Sequence, residues 1–287
     1  MRRLSFCTLL AIAACSPCVD ASARPNVLFI ALDDMNDWIT ALDPNAPIRT
    51  PNITRLAEQG VLFTRAYCAS AACNPSRTAV MTGLRPTTTG VYGNKTDWRA
   101  ALPDAVTLTQ HFMASGYRVE GAGKIFHHHY GSAYHDPASF HDYLLMPDPP
   151  DAPMPPSKLN ALPDYGSPNT DWGVWPPNPL DAVDARTVDY VVAALARDRL
   201  EPFFLAAGIF RPHMPFFAPR EFFDRYPDDA VVMPQVPPDD WEDLPSGAAA
   251  LLKPNKWFFD ELLQIEADSP GTWRAAVRAY QASAAFA

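Results

Sequence analysis

Four short clusters in the sequence carry side chains able to do chemistry. Asp33-Asp34 directly follows an apolar run. Two adjacent carboxylates repel, and a cation is the simplest means of keeping both ionised beside a core. A hard ion such as Ca²⁺, which takes about six to eight oxygen ligands, suits the pair better than zinc. A solvated turn or helix cap is the alternative reading. Cys73-Asn74-Pro75-Ser76-Arg77 sets a thiol one helical turn before a guanidinium, with Thr82-Gly83-Leu84-Arg85-Pro86 trailing it. Gly123-Lys124-Ile125-Phe126-His127 places a lysine and a histidine after a second apolar run, with a surface metal patch at 127–129 as the lesser alternative. Arg211-Pro212-His213-Met214-Pro215-Phe216 offers a histidine flanked by prolines, which by residue type alone is a loop side chain packed on aromatics.

Cys-x-Pro-Ser-Arg with a trailing Thr-Gly-x-Arg-Pro resembles the signature of the type I sulfatases of the alkaline phosphatase superfamily. The resemblance implies that a formylglycine-generating maturation enzyme oxidises Cys73 to Cα-formylglycine. The hydrated aldehyde is a geminal diol: one hydroxyl attacks sulfur and expels the alcohol, and deprotonation of the other then ejects sulfate. A helix N-terminus directs backbone N–H groups and the positive dipole end toward such an anion. Arg77 would orient the diol and offset sulfate charge. Lys124 would bind sulfate as a point charge, and His127 would hydrogen-bond the hydrate. Gly-Lys-x-Phe-His, and Pro-Phe-Phe-Leu-Ala followed by Pro-His-x-Pro-Phe, resemble the iduronate-2-sulfatase branch, which gives His213 a contact with the sulfate or an acid role at the leaving oxygen. In this likeness Asp33, Asp34 and an oxygen derived from Cys73 hold one Ca²⁺, and the substrate is a sulfated saccharide, with uronate 2-sulfates of glycosaminoglycan-like chains foremost.

The likeness runs from about Arg24 to the last residue. The family's later Asp-His-Gly-like metal motif and second sulfate-binding lysine have no counterpart: after Lys124 the lysines are Lys158, Lys253 and Lys256, and no Asp-Asn or Asp-His pair occurs. The expectation is a sulfatase N-terminal catalytic domain over 24–287 with its C-terminal part missing. Two competing functions are an inactive fragment that at best binds anionic saccharides, and a phosphoester or phosphonate hydrolase of the same superfamily.

The elements that must position these clusters follow an α/β order. Asn26–Leu32 and Phe203–Ile209 are continuous apolar runs of strand length, as in parallel strands buried on both faces. A helix opens at Thr50-Pro51 and stops at Gly60, another runs from Pro75 to Met81 and closes at Gly83, and a third runs from Thr107 to Gly116. Val61–Tyr67 and Tyr117–Ala122 read as strands. Ala182–Arg197 carries Val188, Val191, Val192 and Leu195 at helical spacing. Strands alternating with helices predict a mostly parallel sheet flanked by helices, with ligand groups beyond the carboxyl ends of the strands. Residues 147–179 hold 11 prolines and are expected to form a surface excursion outside the sheet.

Composition narrows the rest. Of 287 residues, 48% are hydrophobic and 31 are proline, so a core and long ordered loops are both required. The net charge of −9 argues against nucleic acid as a partner. Arg2-Arg3, the apolar stretch Leu4–Cys15 and Ala21-Ser22-Ala23 make the pattern of a secretory signal over 1–23, too short to span a bilayer, so no transmembrane helix is expected in the mature chain. Ile12-Ala13-Ala14-Cys15 resembles a lipobox, which would anchor the chain at Cys15. The protein is therefore expected in the periplasm or outside the cell. Cys7, Cys15 and Cys18 lie in the signal, leaving Cys68 and Cys73. Cys68 reads as an inert buried thiol.

Overall fold

The computed structural model describes residues 24–127, 134–147, 154–160, 170–235 and 263–287, together with isolated positions between them. The signal segment with Cys15, and His128 and His129, lie outside the described residues.

Four strands, β1 (Val27–Asp33), β2 (Arg118–Gly123), β3 (Asp142–Leu144) and β5 (Phe203–Pro212), form a parallel sheet in the order β1-β5-β2-β3. β5 is central and buried almost throughout, which is why its run Phe203–Ile209 lacks polar alternation. The pairings Val27↔Phe204 and Arg118↔Phe203 bring the carboxyl ends of β1, β2 and β5 to one edge. Two shorter strands, β4 (Trp172–Val174) and β6 (Phe216–Ala218), pair in parallel as a separate sheet.

Helices α1 (Pro51–Gln59), α2 (Cys73–Thr82), α3 (Leu108–Ala114), α4 (Val183–Leu195) and α5 (Thr272–Phe286) surround the sheet. On one face Phe204, Val119 and Ala206 pack with Phe112 of α3, Met81 of α2, Trp98 and Phe126. The Phe112 and Phe204 rings lie 4.7 Å apart. On the other face Leu205, Ala207 and Ala122 meet Val191 and Ala194 of α4. Each large side chain so buried contributes about 1.5–3 kcal/mol. Thr107 and Gln110 close a capping box on α3, and Gly83, at φ 73°, ends α2. Among the described residues no helix is long and apolar enough to cross a membrane.

Five expectations need correction. Val61–Tyr67 is not a strand: Val61, Phe63 and Tyr67 are exposed, and no described strand lies alongside to pair with them. Cys68, which follows that segment, is exposed with it and is not a buried thiol. α2 begins at Cys73, two residues earlier than expected, because Pro75 needs no N–H within the first turn. α4 turns inward the stripe Val183, Thr187, Val191 and Ala194, while Val188, Val192 and Leu195 are exposed. Small or branched side chains suit a helix lying close over β5 and β2. The Pro-rich region is more than a surface excursion, since Thr170, Asp171 and Trp172 are buried. The Asp171 carboxylate accepts the backbone N–H groups of Leu159, Asn160 and Trp172 at 2.8–2.9 Å, tying Leu159 and Asn160 to the start of β4.

One buried carboxylate ties the far end of the sheet. Glu120 on β2 accepts from Arg118 (3.1 Å), Arg197 (3.2 Å) and Arg199 (2.5 Å). Burial pushes its carboxyl up, but the hydrogen bonds from Arg199 and Arg118 outweigh this and hold it below the usual Glu range. A carboxyl lowered in the fold stabilises above its unfolded value of about 4.3, and that contribution is lost as pH falls through the folded value. Glu120→Gln should therefore cost about 1.5–3 kcal/mol at pH 7 in urea unfolding. The gap to the parent protein should narrow below about pH 4. An equal gap at both pH values would remove the carboxylate from this role.

Candidate active site

The site gathers where β1, β2 and β5 end. β1 finishes on Asp33 after a slip in its register with β5, and Asp34 takes a left-handed backbone at φ 59°. Asp tolerates that conformation better than branched residues do. The turn gives the two carboxylates different nearest partners. Asp33 is buried against Arg77 and Lys124, while an Asp34 oxygen lies 3.7 Å from His213 Nε2. The Tyr280 hydroxyl of α5 holds the turn, donating to the Asp34 carbonyl and accepting the Asn36 N–H, both at 2.9 Å.

α2 presents Cys73 as its first residue, at the positive end of the helix dipole. Its mouth is fixed by Asn74. The Asn74 N–H donates to Asn94 Oδ1 at 3.0 Å, and its side-chain amide donates to the carbonyls of Gly93 and Thr96. One turn on, Arg77 donates from Nη2 to Asp33 at 2.8 Å and from Nη1 to the Lys124 and Ile125 carbonyls. Its buried Nε has no hydrogen-bond partner among the described residues.

Lys124 follows β2 and is almost wholly buried, at 1% exposure. Its ammonium donates to Asp33, lies 3.8 Å from Cys73 Sγ and sits over the Phe210 ring at 4.9 Å. Two glycines permit this path. Gly123 has φ 77°, and a Cβ there would strike the Gly208 carbonyl. A Cβ on Gly208 would strike the Lys124 backbone, whose N–H bonds Gly208 at 2.8 Å.

β5 carries the chain into His213. Asp184, in the first turn of α4, fixes the end of the strand by accepting the Phe210 and Arg211 N–H groups at 2.6 and 2.9 Å. The His213 ring meets the Met214 carbonyl through Nδ1 at 2.5 Å, so Nδ1 carries the proton and Nε2 faces Asp34. His127 packs edge-on against Tyr134, whose ring lies 5.9 Å from the Lys124 ammonium.

Charges couple across this cluster. Burial alone would raise Asp33, but Arg77 and Lys124 together hold it down to about 2. Asp34 is pushed up by burial and by the Asp33 charge. Burial raises the Cys73 thiol against the pull of Lys124, and burial with Lys124 lowers His213. Two carboxylates cancel Arg77 and Lys124, so these four groups offer an anion no net positive charge. Ligand atoms of Asp33, Cys73 and His213 lie within 4.8 Å of one another, so the donor set is that of a cation site as well.

The structure thus brings together Asp33, Asp34, Cys73, Arg77, Lys124 and His213, with His127 joined to them through Tyr134. Sequence reasoning missed Asn74, Asn94, Tyr280 and Asp184. Asn74 fills the unspecified position of Cys-x-Pro-Ser-Arg, and Asp184 gave a signal only as an acid in the first turn of a helix.

A parallel sheet flanked by helices, with charged groups beyond its strand ends, defines an α/β fold with its candidate site at the carboxyl ends of the strands. The sequence model of the Sulfatase family matches residues 25–284, and the chain belongs to that family. A sulfatase of Formosa agariphila is 35% identical over 92% of this chain and 53% of its own length. Human iduronate 2-sulfatase is 32% identical over 74% of this chain and 40% of its own. The chain therefore spans about half the length of the curated relatives it matches. The structure of a phosphonate monoester hydrolase from Silicibacter pomeroyi superposes with a TM-score of 0.64 at 20% identity, covering 91% of this chain and 56% of that one, a likeness of fold.

The cation cluster makes a contrast between the paired carboxylates. In EDTA, Asp33→Asn leaves two buried cations facing a neutral amide and should cost about 3–5 kcal/mol in urea unfolding. Asp34 is raised, so its charge opposes folding as pH climbs through that value; Asp34→Asn should leave stability at pH 7 equal or higher. Equal losses from both variants would contradict the division of roles.

Proposed function

We propose that the protein is a sulfuric ester hydrolase acting on sulfated saccharides, with Cys73 as the precursor of its nucleophile. The observation that carries this reading is the placement of Cys73 at the head of α2, 3.8 Å from the Lys124 ammonium, with Arg77 and Lys124 sharing Asp33. Sulfate is a multi-oxygen anion, and a helix head, a lysine and an arginine are groups that bind one.

Converted to formylglycine, Cys73 would supply a geminal diol whose hydroxyl attacks sulfur. Lys124, locked by Gly123 and Gly208, holds a sulfate oxygen as a fixed point charge. Arg77 fixes Asp33 and, through it, the lysine. His213, with Nδ1 committed to the Met214 carbonyl, presents Nε2 for proton transfer at the leaving oxygen. His127 hydrogen-bonds the hydrate. Asp33, Asp34 and the oxygen derived from Cys73 would form part of the shell of a hard divalent cation, Ca²⁺ by their chemistry, which would supply the positive charge that the four groups lack. Among the described residues, the ligand atoms of Asp33 and Cys73 group with His213 and not with Asp34. The similarity to human iduronate 2-sulfatase favours a uronate 2-sulfate as substrate, and a formylglycine-generating enzyme as maturation partner. Export to the periplasm or beyond fits that reading.

The test uses the full-length protein co-expressed with a formylglycine-generating enzyme. Trypsin releases Ala66–Arg77, whose mass should fall by a sulfur and two hydrogens and gain an oxygen. Cys73→Ala should lower turnover of a sulfate ester on the order of 10⁶-fold, as for loss of a catalytic nucleophile, and leave the unfolding midpoint unchanged. A phosphate ester of the same chromophore should be the poorer substrate. Normal turnover by Cys73→Ala would overturn the assignment, and preference for phosphate would move the protein to phosphoester hydrolysis.

A further inference from the structure

The cleft in front of α2 holds a second thiol. It encloses about 420 Å³ and is lined by Asp33, Cys68, Ser70, Cys73 and Arg77 among others. Both cysteines are free; Cys68 is exposed and Cys73 half-buried. The four residues between them, Ala69-Ser70-Ala71-Ala72, are small, and the chain bends at 69, 71 and 72. Among the described residues no hydrogen bond holds Ser70 or Ala71 in place. A disulfide needs its two Cα atoms about 4.4–6.8 Å apart. A short bent segment without proline or branched side chains can bring Cys68 to that distance while α2 keeps Cys73 fixed.

We propose that Cys68 is an internal disulfide partner of Cys73, and that in the unconverted protein the two close a bond, resolved by Cys73, that holds Cys73 out of maturation until it is reduced. The inference rests on Cys73 as the formylglycine precursor. The oxidant is a low-molecular-weight disulfide such as glutathione disulfide. The Cys68 thiolate attacks it, forming a mixed disulfide and expelling one glutathione thiolate. The Cys73 thiolate then attacks the Cys68 sulfur and expels the second. In total the two protein thiols lose two electrons and two protons, and one glutathione disulfide becomes two glutathiones. An accessible cysteine beside a resolving partner is the arrangement of reversible redox sites, and the bond shields Cys73 from irreversible oxidation to sulfinic acid.

The peptide Ala66–Arg77 contains both cysteines and reports every state by mass. Full-length protein made without a maturation enzyme is equilibrated with glutathione disulfide, quenched in acid, alkylated with iodoacetamide and digested without reductant. The wild-type peptide should appear two hydrogens lighter than the dithiol, without alkyl or glutathione groups, and dithiothreitol should restore two alkylatable thiols. Cys68→Ser, at an exposed position that leaves the unfolding midpoint unchanged, should show only alkylated or glutathionylated Cys73. Incubation with the maturation enzyme adds a second readout. Prior oxidation should lower conversion of the wild type severalfold and leave Cys68→Ser less affected. Two alkylated thiols, or glutathione adducts alone, in the oxidised wild type would overturn the proposal. If neither reduced protein yields formylglycine, the reading of Cys73 as precursor fails, whereas the two-hydrogen loss is scored independently.

Discussion

The buried Asp33 carboxylate, shared between Arg77 and Lys124, is the constraint on which the site depends. Each cation alone would be costly so far from water, and each is held by the same acceptor. Asp33 ends β1, Arg77 belongs to α2 and Lys124 follows β2, so one carboxylate joins three elements distant in sequence. The same arrangement leaves Cys73 beside an ammonium whose position it does not itself determine.

The parallel sheet makes this meeting possible because its pairing aligns the strand ends. β5 lies between β1 and β2, and the close approach at Gly123 and Gly208 sets the backbone from which the Lys124 ammonium reaches over the Phe210 ring. Any side chain at either glycine would force Lys124 away. The continuity of the core beneath, from Phe112 to Phe204 and across to Val191, keeps those ends level.

Much of this was legible in the sequence. The apolar runs at 26–32 and 203–209 pointed to parallel strands, and β5 is buried on both faces as that pattern implies, whereas β1 leaves Leu28 and Ile30 exposed on one face. The cluster around Cys73 was legible because several distinctive residue types stand there in a fixed order. Pairing information was not legible. Val61–Tyr67 has the composition of a strand, but composition cannot supply a neighbour to pair with. The outward stripe of α4 misled for a related reason: helical periodicity gives a spacing without saying which apolar row faces the sheet, and Val183, Thr187, Val191 and Ala194 fit the closer surface. Asn74 and Tyr280 escaped because their partners lie about 20 and 246 residues away, beyond any local pattern.

The bond from Tyr280 to the Asp34 carbonyl also sets a sequence of events in time. Synthesis proceeds at roughly 5–20 residues per second, so the ring emerges roughly 12–50 s after the turn that it holds. Through that interval the segment bearing both carboxylates has been made and the helix bearing the thiol is already present, yet their last restraint has not been translated. The nascent chain therefore holds the head of α2 in a looser setting than the finished fold does.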